Sequence, residues 1–152
     1  MELLEKVRSL QVIYAGALAD SVLRLGNEGV LEKVTEQKRK EQLVSGKVRV
    51  SQMDISSTDE VFLKLSDLMG CADWTIEPDE NGGGFTAIAS RCLLCAMAKK
   101  IGAQSPCRMY CLNPMEGMVK GLSENVSFDV QSTLYENTQC RVSIKVENGR
   151  NR

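Results

Sequence analysis

At 152 residues, 43% of them hydrophobic, and with a formal net charge of −1, the chain is the size of one domain, and a domain of this length buries roughly two-thirds of its unfolded surface. The balanced charge excludes the basic footprint of a nucleic-acid binder, and three Phe, three Tyr and one Trp are too few for a base-stacking platform. Histidine is absent, which excludes Cys-His dyads, Ser-His-Asp triads and histidine-bearing metal sites.

Met1 to Lys6 lack the basic-then-apolar order of a signal peptide. No apolar run approaches the ~20 residues of a bilayer span, so no membrane partner is expected. The expected compartment is the cytoplasm, with thiols reduced. Leu3, Val7, Leu10, Tyr14, Ala17, Ser21 and Leu25 recur at helical spacing and predict a long first helix that stops at Gly26-Asn27. A second, mostly polar helix is predicted from Val30 to Leu43, with Lys38-Arg39-Lys40 on a solvated face. Two such helices are of the kind that pair between subunits, which points to a homodimer. Lys47-Val48-Arg49-Val50 reads as a short extended piece.

Ser57-Thr58-Asp59-Glu60 has the form of a capping box, and the helix it opens closes at Gly70. Trp74 to Glu77 and Phe85 to Ala89 alternate as strands around the turn Pro78 to Gly84. A strand follows this glycine run, so a phosphate-cradling loop is not indicated. A helix is expected from Cys92 to Gly102, and another from Ser105-Pro106 through Cys111, interrupted at Asn113-Pro114. Met115 to Leu122 adds a turn or two. Val126, Phe128 and Val130 share one strand face, and Cys140, Val142, Ile144 and Val146 share another, with Glu136-Asn137-Thr138 as the turn. Gly149 to Arg152 reads as a frayed tail. The order implies an α+β fold, an antiparallel sheet of about four strands packed against helices. One domain is expected over 1–152, with a helical segment at 1–45 and an α+β core at 55–148.

The chemistry is concentrated in the cysteines. Cys92 sits where strand gives way to helix, Cys95 one turn later, Cys107 and Cys111 on one helix face, and Cys140 at the start of the last strand. Thiolates from Cys92, Cys107, Cys111 and Cys140 would suit zinc or an iron–sulfur cluster, although the spacing is not that of two close pairs. The alternative is plain packing, because free cysteine is among the most buried side chains. Cys92, after Arg91 at a helix start, and Cys107, beside Arg108, are the candidate nucleophiles. Without histidine the general base must be a carboxylate, and Glu116 is the nearest. Cys71 reads as a core filler.

Across residues 85 to 146, the order Cys92, Gly102, Ser105-Pro106-Cys107-Arg108-Met109-Tyr110-Cys111, Gly121-Leu122 and Cys140 resembles the L-2-amino-thiazoline-4-carboxylic acid hydrolase family. More distantly it is similar to four-vinyl reductase-type hydrocarbon-binding domains. The first resemblance implies a hydrolase that opens a C–N bond of a small ring. The chain departs from that pattern at Leu112-Asn113-Pro114 and at Arg141, where acidic residues are usual. The second resemblance implies a non-catalytic module that binds a small apolar ligand between helices and sheet. A redox or metal sensor built on an iron–sulfur cluster is the third reading.

Overall fold

The computed structural model describes residues 1–147, so the predicted tail lies outside the described residues. The element order is α1 (Leu3–Asn27), α2 (Leu31–Gln52), α3 (Thr58–Met69), β1 (Ala72–Pro78), β2 (Gly84–Cys92) and α4 (Leu93–Lys100). A π-helical turn (Arg108–Leu112), α5 (Asn113–Leu122), β3 (Val126–Ser132) and β4 (Cys140–Val146) complete it. The four strands form one antiparallel sheet in the order β1-β2-β4-β3. The α+β expectation is met.

The inner sheet face carries the expected alternation. Val126, Phe128 and Val130 stand opposite Val146, Ile144 and Val142. Phe62 of α3 is fully buried against this face, edge-on to Trp74 and Phe85 and stacked on Phe128. Gly70 closes α3 in the left-handed conformation, φ 63°, which glycine adopts without steric penalty.

Three local expectations change. Lys47 to Val50 is helical, because α2 continues to Gln52; burial of Gly46 and Val50 outweighs the β preference of two valines. Asn113-Pro114 does not interrupt the chain. Proline stands in the first turn of α5, where a missing N–H is tolerated, and the π turn feeds directly into it. On α1 only the far end of the predicted stripe packs inward: Leu3, Val7 and Leu10 are exposed, Ser21 and Leu25 are half-buried, and Ala15, Ala19 and Val22 are the buried residues. The small residues let α1 approach α4 closely.

Helices α2 and α5 meet at their glycines. A Cβ on Gly46 would fall on the Gly117 carbonyl, and one on Gly121 would lie 2.6 Å from the Lys47 nitrogen. Only glycine permits this approach. That leaves the other flank of α2 to look across at α1 and α3.

Candidate functional site

The site begins where β2 ends. Cys92 is the N-cap of α4, and its Sγ accepts the Cys95 backbone N–H at 3.5 Å. The β1–β2 register sets Ala72 opposite Cys92, and the Leu93 N–H donates to the Cys71 carbonyl at 2.7 Å. Cys71 is thereby placed beside Cys92, and both line one cavity. The neighbouring Cys71 thiol, with the first amides of α4, holds the Cys92 thiol well below its ordinary range against the opposing effect of burial. Cys71 is pushed up correspondingly.

A second sulfur pair lies deeper. Cys95 Sγ is 3.3 Å from Cys107 Sγ. A thiol has a single proton to give, so Cys95 serves Cys107 at this distance and Cys92 relies on Cys71. Cys107 is lowered by that hydrogen bond while Cys95 is raised. Burial pushes Cys111 up, and pushes Cys140 up to about 12.

The sulfurs divide two spaces. Five of them, Cys92, Cys95, Cys107, Cys111 and Cys140, line an apolar void of about 20 Å³. Cys71, Cys92 and Cys111 also line a cavity of about 310 Å³ bounded by α1, α2, α3 and the π turn. Trp74 and Cys92 belong to both, so the void is an inner pocket behind the cavity wall. Met53, Met69, Met109, Met115 and Met118 line the cavity; that is five of the seven methionines in the chain, and such a wall adapts to irregular apolar shapes. No Asp or Glu lines it.

The polar wall comes from α2, where Lys38, Gln42 and Arg49 face the cavity. Lys38 Nζ lies 5.8 Å from the Tyr110 ring centroid, within cation–π range. The Tyr110 hydroxyl is engaged by Ser21 Oγ at 2.6 Å. Gln42 is 8% exposed, and its Oε1 has no hydrogen-bond partner among the described residues.

The candidates from sequence fare differently. Cys92 and Cys107 are the two thiols with lowered pKa, and only Cys92 reaches the larger cavity. Glu116 is neither a base at the sulfurs nor a solvated residue. It is buried in the α2–α5 seam, where Arg39 binds both its oxygens at 3.1 and 3.3 Å and Lys120 adds a contact at 3.4 Å. Arg39 therefore also leaves the solvated face expected of it. Cys92, Cys107, Cys111 and Cys140, the candidate ligand set, all line the inner void. Among the described residues no group of three or more His, Cys, Asp or Glu side chains is arranged to hold a metal ion. Cys107 Sγ has Cys95 Sγ as its neighbour at 3.3 Å.

No family model and no curated protein matches the sequence. A solved structure does match in fold: trafficking protein particle complex subunit 3 from Naegleria fowleri, covalently bound to palmitic acid. The TM-score is 0.54 at 15% identity, over 90% of this chain and 96% of the other. The likeness is one of fold. It spans the helices as well as the sheet, and so includes the N-terminal half. Among the described residues no helix is long and apolar enough to cross a membrane.

Sequence reasoning passed over Cys71 and Gln42. Cys71 gave no periodic signal, because it stands in the loop between α3 and β1. Gln42 did give one: it falls one turn after Lys38 and one turn before Gly46, on the same side of α2.

Proposed function

We propose that this protein is a binding module for a small molecule with a hydrocarbon body, held between the helices and the sheet. The observation that carries the reading is the cavity of about 310 Å³, walled largely by Met, Leu, Ala and Trp74. Its size falls at the lower end of small-molecule sites. The covalently bound palmitic acid of the trafficking-complex subunit supports an apolar ligand. Trp74 is the one tryptophan of the chain and lines the cavity, so its fluorescence reports occupancy directly. Titration with 1-octanol should shift the Trp74 emission saturably. An unchanged spectrum up to the solubility limit would sink the reading.

One observation favours the hydrolase reading as a second: the lowered Cys92 thiol faces the same cavity and has the character of a nucleophile. The resemblance to the L-2-amino-thiazoline-4-carboxylic acid hydrolases predicts that a five-membered C–N ring would be opened there. Against it, no carboxylate lines the cavity and Glu116 is held by two cations. Incubation with the thiazoline acid should leave the ring intact; ring opening that a Cys92→Ser variant abolishes would reverse the order of the two readings.

The exposed apolar residues in the first half of α1 support pairing between copies of the chain. Leu3, Leu4, Leu10 and Ile13 are each more than half exposed, and apolar helix faces of this kind mark interaction sites. The trafficking-complex neighbour is a subunit of a larger assembly. Sedimentation of wild type against Leu10→Glu/Ile13→Glu tests it: a dimer that the double variant dissociates is the expected result.

A further inference from the structure

We infer that Lys38 and Gln42 form a head-group subsite in this cavity, so that its ligand is an amphiphile with an apolar body and one carboxyl or hydroxyl head. The inference rests on the reading of the cavity as a hydrocarbon site and adds the polar end of the ligand. Three observations converge on it.

Gln42 Oε1 is buried without a partner among the described residues, on a side chain that lines the cavity. A buried amide oxygen left unpaired is an uncompensated desolvation. A rotation about the last side-chain bond, itself part of the proposal, presents Oε1 to the cavity, where a ligand donor satisfies it. Lys38 lines the same wall one helical turn earlier, ~6 Å along the axis. Its ammonium is held against the Tyr110 ring, and no described carboxylate pairs with it. Finally, the lining contains no Asp or Glu, so a negative or electron-rich head meets no like charge.

The recognition chemistry follows from the two side chains. A ligand hydroxyl donates to Gln42 Oε1 while its oxygen accepts from the Lys38 ammonium. A carboxylate accepts from Lys38 and from the Gln42 amide turned to present Nε2. A ligand oxygen with no proton and no charge, such as an ether, meets only half of this pair. The rest of the lining, at Cys71, Cys111 and Met115, is sulfur and carbon and suits the tail.

Trp74 emission, titrated with 1-octanol, octanoic acid and methyl octyl ether, tests the inference on the wild-type protein. Alcohol and acid are expected to bind about tenfold more tightly than the ether, the discrimination set by one buried hydrogen bond. Gln42→Leu should remove the preference of alcohol over ether, and Lys38→Met should weaken the acid more than the alcohol. Equal binding of ether and alcohol by the wild type would overturn the head-group subsite and leave the hydrocarbon site standing. Failure of all three to move the Trp74 emission would overturn both. The wild-type comparison decides between these outcomes even if Gln42→Leu does not fold.

Discussion

Helix α2 has two flanks that follow opposite packing rules. Toward α5, Gly46 faces Gly117 and Gly121 faces the Lys47 backbone, so closely that one added carbon at any of them meets main chain. Next to this seam, toward α1 and α3, Lys38 and the Gln42 side chain overlook about 310 Å³ that no side chain fills, with Pro114, Met115 and Met118 of α5 on its edge. Protein interiors are ordinarily close-packed, and unfilled space forfeits contacts. A chain that closes one flank to the backbone and leaves the other open has not packed poorly everywhere. The space is local, and its walls are methionine, leucine and sulfur. This contrast is the physical basis for reading the cavity as a site and the seam as its frame.

The same kind of substitution should therefore act oppositely on the two flanks. Gly117→Val places its side chain on the Gln42 carbonyl, and should destabilise by about 3 kcal/mol or more, the upper range for overpacking. Urea unfolding would show it as a large fall in midpoint, or as failure to accumulate folded protein. A change below about 1 kcal/mol would mean that the helices separate easily and that the seam is no frame. Glu116→Gln is the next effect in size. It removes the carboxylate that Arg39 and Lys120 share across the seam. Both cations are more than a third exposed or close to it, so the loss should be about 1–2 kcal/mol rather than that of a fully buried pair. The octanol response of Trp74 should be unchanged, whereas a lost response would return Glu116 to the site.

On the open flank the sign reverses. Ala15 is buried and lines the cavity from α1. Ala15→Leu should fill part of the space and raise stability by about 0.5–2 kcal/mol, as cavity-filling changes do, while weakening the ligand response. Destabilisation comparable to that of Gly117→Val would show that the flank is closed in solution, and the contrast would fail.

How much of this was legible in residues alone depends on what specifies each part. Helix α3 and the strands were legible because local signals agree with the packing: Gly70 after the helix, and alternation from Val126 and from Cys140. Helix α3 does start after Ser57, but the capping box does not form, since Ser57 Oγ donates to Glu60 at 3.0 Å and caps no backbone N–H. The last turns of α2 were not, because Val48 and Val50 favour a strand locally and only the approach of α5 decides otherwise. The cysteine spacing placed Cys92 and Cys107 on helix starts correctly. It did not show that Cys95 turns to Cys107, nor that Cys71 reaches Cys92, since the second contact depends on strand register. A cavity leaves the faintest trace of all. It is an absence of atoms, and its marks are indirect: the methionines and a glutamine on an inward helix face.

The smallest effect is also the most specific to the cavity wall. Cys92 is held below the ordinary thiol range by the Cys71 thiol and the α4 amides, whereas Cys71, Cys111 and Cys140 are raised. A lowered pKa means that the thiolate is favoured by folding. Its contribution to stability is present above the unfolded thiol's pKa of about 8.5 and is lost as pH falls through the folded value. Iodoacetamide alkylation, mapped by peptide mass, should therefore continue at Cys92 below pH 8.5, where Cys71, Cys95, Cys111 and Cys140 stay protonated and slow. Cys107, also lowered, is buried away from the larger cavity. Cys71→Ala should move the Cys92 profile back toward that of an ordinary thiol. Saturating octanol should slow the reaction, because sulfur and ligand share the cavity. A Cys92 profile centred near 8.5 would show that Cys71 does not lower it. Octanol that quenches Trp74 but leaves the Cys92 rate alone would place the ligand away from the sulfur wall, against α2.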